Sequence, residues 1–226
     1  MSIHSELIEK YYDEVHIDVK GDYTHILKFM ESINKIDEND YFTKLVNVSP
    51  ERIYTSLCIM NPNFWNDISS IMMSKAKTSR DYLIIADILH SENIGMGKNK
   101  EYDLLLRIIQ ENLKIETDVK TIEIMNFSKE ILRIINDKSI EESFAVLGAI
   151  EYIYCKISQM MYRYLATFIN LNEIVYYTND GSINYVRYNR LFEYLSYVHF
   201  SDVKVGLKYG CDLMDYLYSK ATIHFV

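Results

Sequence analysis

Past Pro62 the chain runs to its last residue, Val226, without another proline, and it holds two prolines and seven glycines in all. A sandwich or barrel needs a turn roughly every 8–12 residues, built largely from those two residue types. Long helices joined by short polar loops suit this punctuation instead. The length of 226 residues is that of one domain, and a hydrophobic fraction of 49% is ample for a sizeable core. The expectation is an all-α, single-domain helical bundle spanning residues 1–226.

Apolar residues recur at the helical period in several segments. The first runs from Tyr23 to Ile36 through Ile26, Leu27, Met30 and Ile33, with Asp22 as its cap. Ser49-Pro50 and Asn61-Pro62 each open a helix by placing proline at the first position, the second carrying Phe64, Trp65, Ile68, Ile71 and Met72. Thr78 or Ser79 caps a helix through Tyr82, Ile85, Ile88 and Leu89 that should break at Gly95-Met96-Gly97. Helices are predicted from about Lys100 to Leu113, Val119 to Ile135 and Ile140 to Ile169. The last of these is apolar nearly all round at Phe144–Ile153, so it should lie at the centre of the bundle. Glu173–Tyr185 reads as an interruption turning at Asn179-Asp180-Gly181, either a loop or a brief hairpin of Ile174–Tyr177 against Ile183–Val186. Helices at Tyr188–Tyr197 and about Ser201–Tyr218 close the chain.

A formal net charge of −8, with no stripe of Lys and Arg, lacks the electrostatic footprint of a nucleic-acid binder. The most apolar runs, Ile84–Leu89 and Phe144–Ile153, are too short to span a membrane, and residues 1–10 do not read as a signal peptide. Cys58, Cys155 and Cys211 are odd in number and widely spaced, which suits reduced thiols in the cytoplasm. The 20 tyrosines fit core edges, where the ring packs and the hydroxyl reaches a polar partner.

Phosphate-binding loops, nucleophile elbows and paired-histidine zinc helices are absent, and none of the six histidines has another four residues away. What stands out is acid within or beside apolar helices. Glu151 lies in Ala145-Val146-Leu147-Gly148-Ala149-Ile150-Glu151-Tyr152-Ile153, where a carboxylate is costly unless paired, metal-bound or protonated. Glu92 precedes the glycine turn, Asp67 follows Trp65, and Asp202 shares a helix face with His199 at i, i+3. Carboxylates aimed inward from several helices hold iron or manganese in some bundles. The structural alternative is that Glu151 meets a Lys, an Arg or a Tyr hydroxyl, with Glu92 and Asp202 solvated at helix ends.

Phe64-Trp65, Arg80-Asp81-Tyr82-Leu83, Ser91-Glu92-Asn93-Ile94-Gly95-Met96-Gly97 and Tyr102-Asp103-Leu104-Leu105 follow one another in an order that resembles the heme-oxygenase-like superfamily. The closer likeness is to its iron-dependent oxidase and oxygenase branch, which includes the chlamydial death-domain-associating protein; TenA-type thiaminases and pyrroloquinoline-quinone synthase share the fold, and the resemblance implies a single all-α bundle of seven to eight helices. The resemblance covers about residues 62–215. It implies that Glu92, Glu151 and Asp202 are metal ligands, with Asp67 near an earlier carboxylate. Tyr102, Val198 and Val205 stand where that branch has ligand histidines, and His199 is one residue from such a position. The resemblance thus implies a degenerate diiron site, with iron or manganese as cofactor and Tyr102 and Glu151 as catalytic groups. The activity implied is that of an oxidoreductase on a small organic substrate. A non-catalytic interaction protein, either a pseudoenzyme or a host-interaction effector, is the other reading. The partner is then another protein, and a homodimer also fits the chain.

Overall fold

The computed structural model describes residues 22–35, 65–87, 107, 111, 122–165 and 183–223, and the elements among them are helices, with no strand among the described residues. They are α1 (Thr24–Ile33), α2 (Trp65–Lys75), α3 (79–87), α4 (Ile122–Asp137), α5 (Ile140–Leu165), α6 (Ile183–Leu195) and α7 (Phe200–Ile223). The all-helical expectation holds. No helix among the described residues is long and apolar enough to cross a membrane.

Local chemistry sets the helix starts. Asp22 accepts the N–H of Thr24 at 2.9 Å as α1 begins. At α3, Thr78 Oγ1 accepts the N–H of Asp81 at 3.1 Å while Asp81 Oδ2 accepts the N–H of Thr78 at 2.9 Å, a reciprocal capping box. Ser139 and Glu142 repeat that device at α5, with Glu142 N–H on Ser139 Oγ at 3.1 Å and Ser139 N–H on Glu142 Oε2 at 3.3 Å. The C-terminal end of α4 is capped from another helix. The Lys75 ammonium of α2 donates to the carbonyls of Asn136 and Lys138, each at 2.7 Å, and to that of Ile135. A cation among carbonyls that lack helical partners also complements the helix dipole.

Helix α5 is buried on every side from Ser143 to Cys155, as its sequence predicts. It packs chiefly on α7 and α6, while α4 leans on α2, α5 and α7, and α1 covers α7. Ile26 and Met30 of α1 reach this core, as do Ile131, Ile134 and Ile135 of α4 and Val203, Leu207, Met214 and Leu217 of α7.

The α5–α7 contact is unusually close. A Cβ on Gly206 would stand 2.4 Å from the Glu142 carbonyl oxygen and 2.7 Å from Ala145 Cβ. One on Gly210 would lie 2.6 Å from both the Val146 oxygen and Ala149 Cβ. Both sets of numbers rise together, so the two helices run in the same direction.

Two boundaries differ clearly from expectation, α7 running on to Ile223 rather than ending near Tyr218. Helix α6 starts at Ile183, so Ile183–Val186 is helical and cannot form the second strand of a hairpin. The β-branched residues there carry only a weak strand preference, which helix continuation overrides. The Gly95-Met96-Gly97 turn, the Ser49-Pro50 start and most of the 100–113 segment lie outside the described residues.

Candidate functional site

Glu151 is the central acidic residue of the sequence, and its side chain is buried, with 1% of the residue exposed. Its Oε1 lies 3.5 Å from Nη1 of Arg187, which α6 delivers and which is also buried. Two opposite charges withdrawn from water at this distance attract strongly, and their attraction offsets much of the cost of dehydrating each. One turn further along α5, the Tyr154 hydroxyl is fully enclosed, with no hydrogen-bond partner among the described residues. Burial holds its pKa well above that of an ordinary phenol, and the nearby Glu151 charge adds to the effect.

Aromatic rings wall this region. Tyr152 meets Tyr188 edge-on at 5.3 Å, and Tyr188 packs at 5.5 Å from Phe192. The small residues of Leu147-Gly148-Ala149-Ile150-Glu151 acquire a packing reason here. A Cβ on Gly148 would sit 2.7 Å from the Phe192 ring, and Ala149 is the residue that abuts Gly210. Close helix approach accounts for this motif without a metal.

The predicted convergence of acids fails where it can be followed. Asp202 and His199 are exposed at the start of α7, where the Asp202 N–H bonds the His199 carbonyl at 2.9 Å and Ser201 donates to the Asp202 carboxylate at 3.2 Å. Gly206 lies level with Glu142 and Ala145, so Asp202 is one turn before that level and Glu151 is beyond the Gly210 contact. At 1.5 Å of rise per residue, about 17 Å of helix separates the two carboxylate levels. His199 precedes the first helical residue, Phe200, and both it and Asp202 are on the outer surface. Val198 is half-buried against the core and Val205 is exposed.

Asp67 falls on α2, with its side chain outside the described set, and Glu92 and Tyr102 lie outside the described residues altogether. Among the described residues, no group of three His, Cys, Asp or Glu side chains could hold a metal ion. Among the described residues, the group that faces Glu151 does not favour a cation either. The guanidinium beside the carboxylate already supplies the positive charge that a metal would bring, and a second cation there meets repulsion.

A second buried polar centre went unrecognised in the sequence. Asp81, 3% exposed, accepts the Tyr194 hydroxyl at 2.6 Å, and its other oxygen accepts the N–H groups of Lys77 and Thr78 at 2.9 Å. Burial pushes this carboxyl up, but those hydrogen bonds outweigh it and hold the group below its ordinary value. The Tyr194 phenol is raised, chiefly by burial and then by the Asp81 bond. Arg80 stacks over the Tyr197 ring at 3.8 Å and over Tyr194 at 5.0 Å. Thr78-x-x-Asp81 is legible as a capping box, but no local pattern announces Tyr194 or Arg187.

Helix α7 carries its own outward face. Val205, Tyr209 and Tyr216 are 45%, 42% and 52% exposed, on the side opposite Val203, Leu207 and Met214.

The described residues therefore define a class: an all-helical bundle with a buried Glu–Arg pair where the acidic centre was expected. No family model, curated protein or solved structure matches the chain.

Proposed function

We propose that this chain is a non-catalytic helical interaction protein, a bundle whose interior polar groups are structural and whose outer helix faces bind another protein. One observation carries the reading: Arg187 stands 3.5 Å from the Glu151 carboxylate in the bundle interior. A metal-dependent oxidase needs its carboxylates converging on a cation with open positions for oxygen. Here the best-placed carboxylate faces a guanidinium, and the nearest predicted companion on α7 is on the surface. The heme-oxygenase-like likeness enters as ancestry, a helical shell kept after the metal chemistry was lost. The exposed aromatic side chains of α7 supply the kind of surface such a protein would use.

Metal analysis of the full chain, expressed and purified with added iron and then with manganese, tests this. Well under one ion per chain, unchanged in Glu151→Ala, is the expected result. One or more ions per chain that disappear in Glu151→Ala would overturn the reading and restore the oxidoreductase.

A further inference from the structure

The outward face of α7 repeats at alternating spacings of three and four residues: 202, 205, 209, 212, 216 and 219. That is the spacing of a seam along which one helix packs on another. Val205, Tyr209 and Tyr216 on this line are among the exposed large hydrophobic residues, and Asp212 between them is exposed too. The seam is also complementary to itself. Laid against a copy running the opposite way, about a two-fold axis between residues 210 and 211, Val205 meets Tyr216 of the other copy. Tyr209 likewise meets Asp212, a phenol against a carboxylate. Beside the seam, Lys208 and Asp215 hold the same place in successive heptads, so each lysine faces the other copy's aspartate. Isologous pairing makes every such contact twice.

We propose that this seam of α7 is a self-association surface, and that the occupant is a second copy of this chain in antiparallel, two-fold pairing. The proposal rests on the interaction-protein reading and names the surface and partner. Among the described residues, Lys35 and Lys138 touch it, and neither closes it. The Lys35–Asp212 pair at 3.4 Å joins side chains 65% and 50% exposed, and exposed pairs of this kind are weak. The Lys138 ammonium, 5.2 Å from the Tyr209 ring centroid, flanks the seam without covering it.

Sedimentation equilibrium of the full chain across the micromolar range tests the pairing. The expected mass approaches twice 26.7 kDa at the upper end and falls toward 26.7 kDa on dilution. Tyr209→Glu, which sets two acids against each other at two places, should weaken association at least about thirtyfold with helix content unchanged. Lys208→Asp and Asp215→Lys should each weaken it, and the two together should restore it. A mass of 26.7 kDa throughout, a dimer indifferent to Tyr209→Glu, or a double variant no better than the singles would each overturn the proposal. Each of those results leaves the metal assay untouched, and iron uptake on Glu151 would sink the interaction-protein reading whatever the mass.

Discussion

Tyr194 donates its hydroxyl to Asp81 at 2.6 Å, joining the end of α6 to the first turn of α3 across 113 residues of sequence. The same carboxylate accepts the N–H groups of Lys77 and Thr78, so one buried side chain both starts a helix and docks it. Tyr194→Phe removes one donor from a buried carboxylate and should cost about 1–3 kcal/mol, read as a shift in the urea midpoint with unchanged slope. Asp81→Ala, which also strips the cap, should cost more.

The pH dependence follows from the same site. A carboxyl held below its ordinary 3.8 in the folded state binds fewer protons there than in the unfolded chain. Its contribution is complete above the unfolded value and is lost as pH falls through the folded one. Urea titrations from neutral pH down to about pH 3 should show that loss in the native protein, and Asp81→Asn should flatten it. A curve of the same shape in Asp81→Asn would assign the acid sensitivity to other carboxylates.

The Glu151–Arg187 pair predicts a non-additive cycle. Glu151→Leu leaves a buried guanidinium and Arg187→Leu a buried carboxylate, and each should cost about 3–5 kcal/mol. The double leucine variant should cost clearly less than the two single losses added together, since the two facing charges are then removed at once. Denaturant melts of the four proteins check this. Additive losses would mean that the two side chains do not depend on each other.

Helix spacing gives a fourth test. Gly206→Ala and Gly210→Ala drive a methyl group into backbone oxygens of α5 at 2.4 and 2.6 Å, contacts that only separation of the helices relieves. Each should cost about 1–3 kcal/mol in a thermal or denaturant melt. Gly148→Ala meets a ring edge of Phe192 at 2.7 Å instead, and a side chain can give where backbone cannot. Its cost should be smaller.

Lys75→Met keeps the apolar stem and removes the ammonium that caps α4. The Asn136 and Lys138 carbonyls lose their 2.7 Å donor, and the variant should be less stable by about 1–2 kcal/mol. Lys75→Arg should recover part of this, because it keeps the charge but not the compact head that reaches three carbonyls.

Much of the architecture was legible in the residues because it is local. The proline-free stretch after residue 62, the apolar period and the run at Phe144–Ile153, apolar but for Glu151, specified helices and named the central one. Thr78 was readable as a cap for the same reason, since a cap and its helix lie within a few positions of each other, whereas the cap position of α1 falls to Tyr23, with Asp22 one residue before it. Ser139-x-x-Glu142 could have been read in that way and was missed. The small residues of Leu147–Glu151 were legible as a pattern, but their cause was not. A glycine that admits Phe192 and an alanine that abuts Gly210 look in one dimension like a ligand motif.

What Glu151 faces was decided only in three dimensions. A carboxylate in an apolar helix must have a partner, and that much follows from residue type and dehydration energy alone. Whether the partner is a metal, a phenol or a guanidinium depends on which residue a distant helix delivers. Arg187 is 36 positions away, and the rotation of α6 that aims it inward leaves no mark on its neighbours. Asp202 shows the converse: its place at the start of α7 was legible, and its outward direction was set by how α7 seats its glycines on α5. Periodicity reports that a helix has two faces, and packing chooses which of them meets the core.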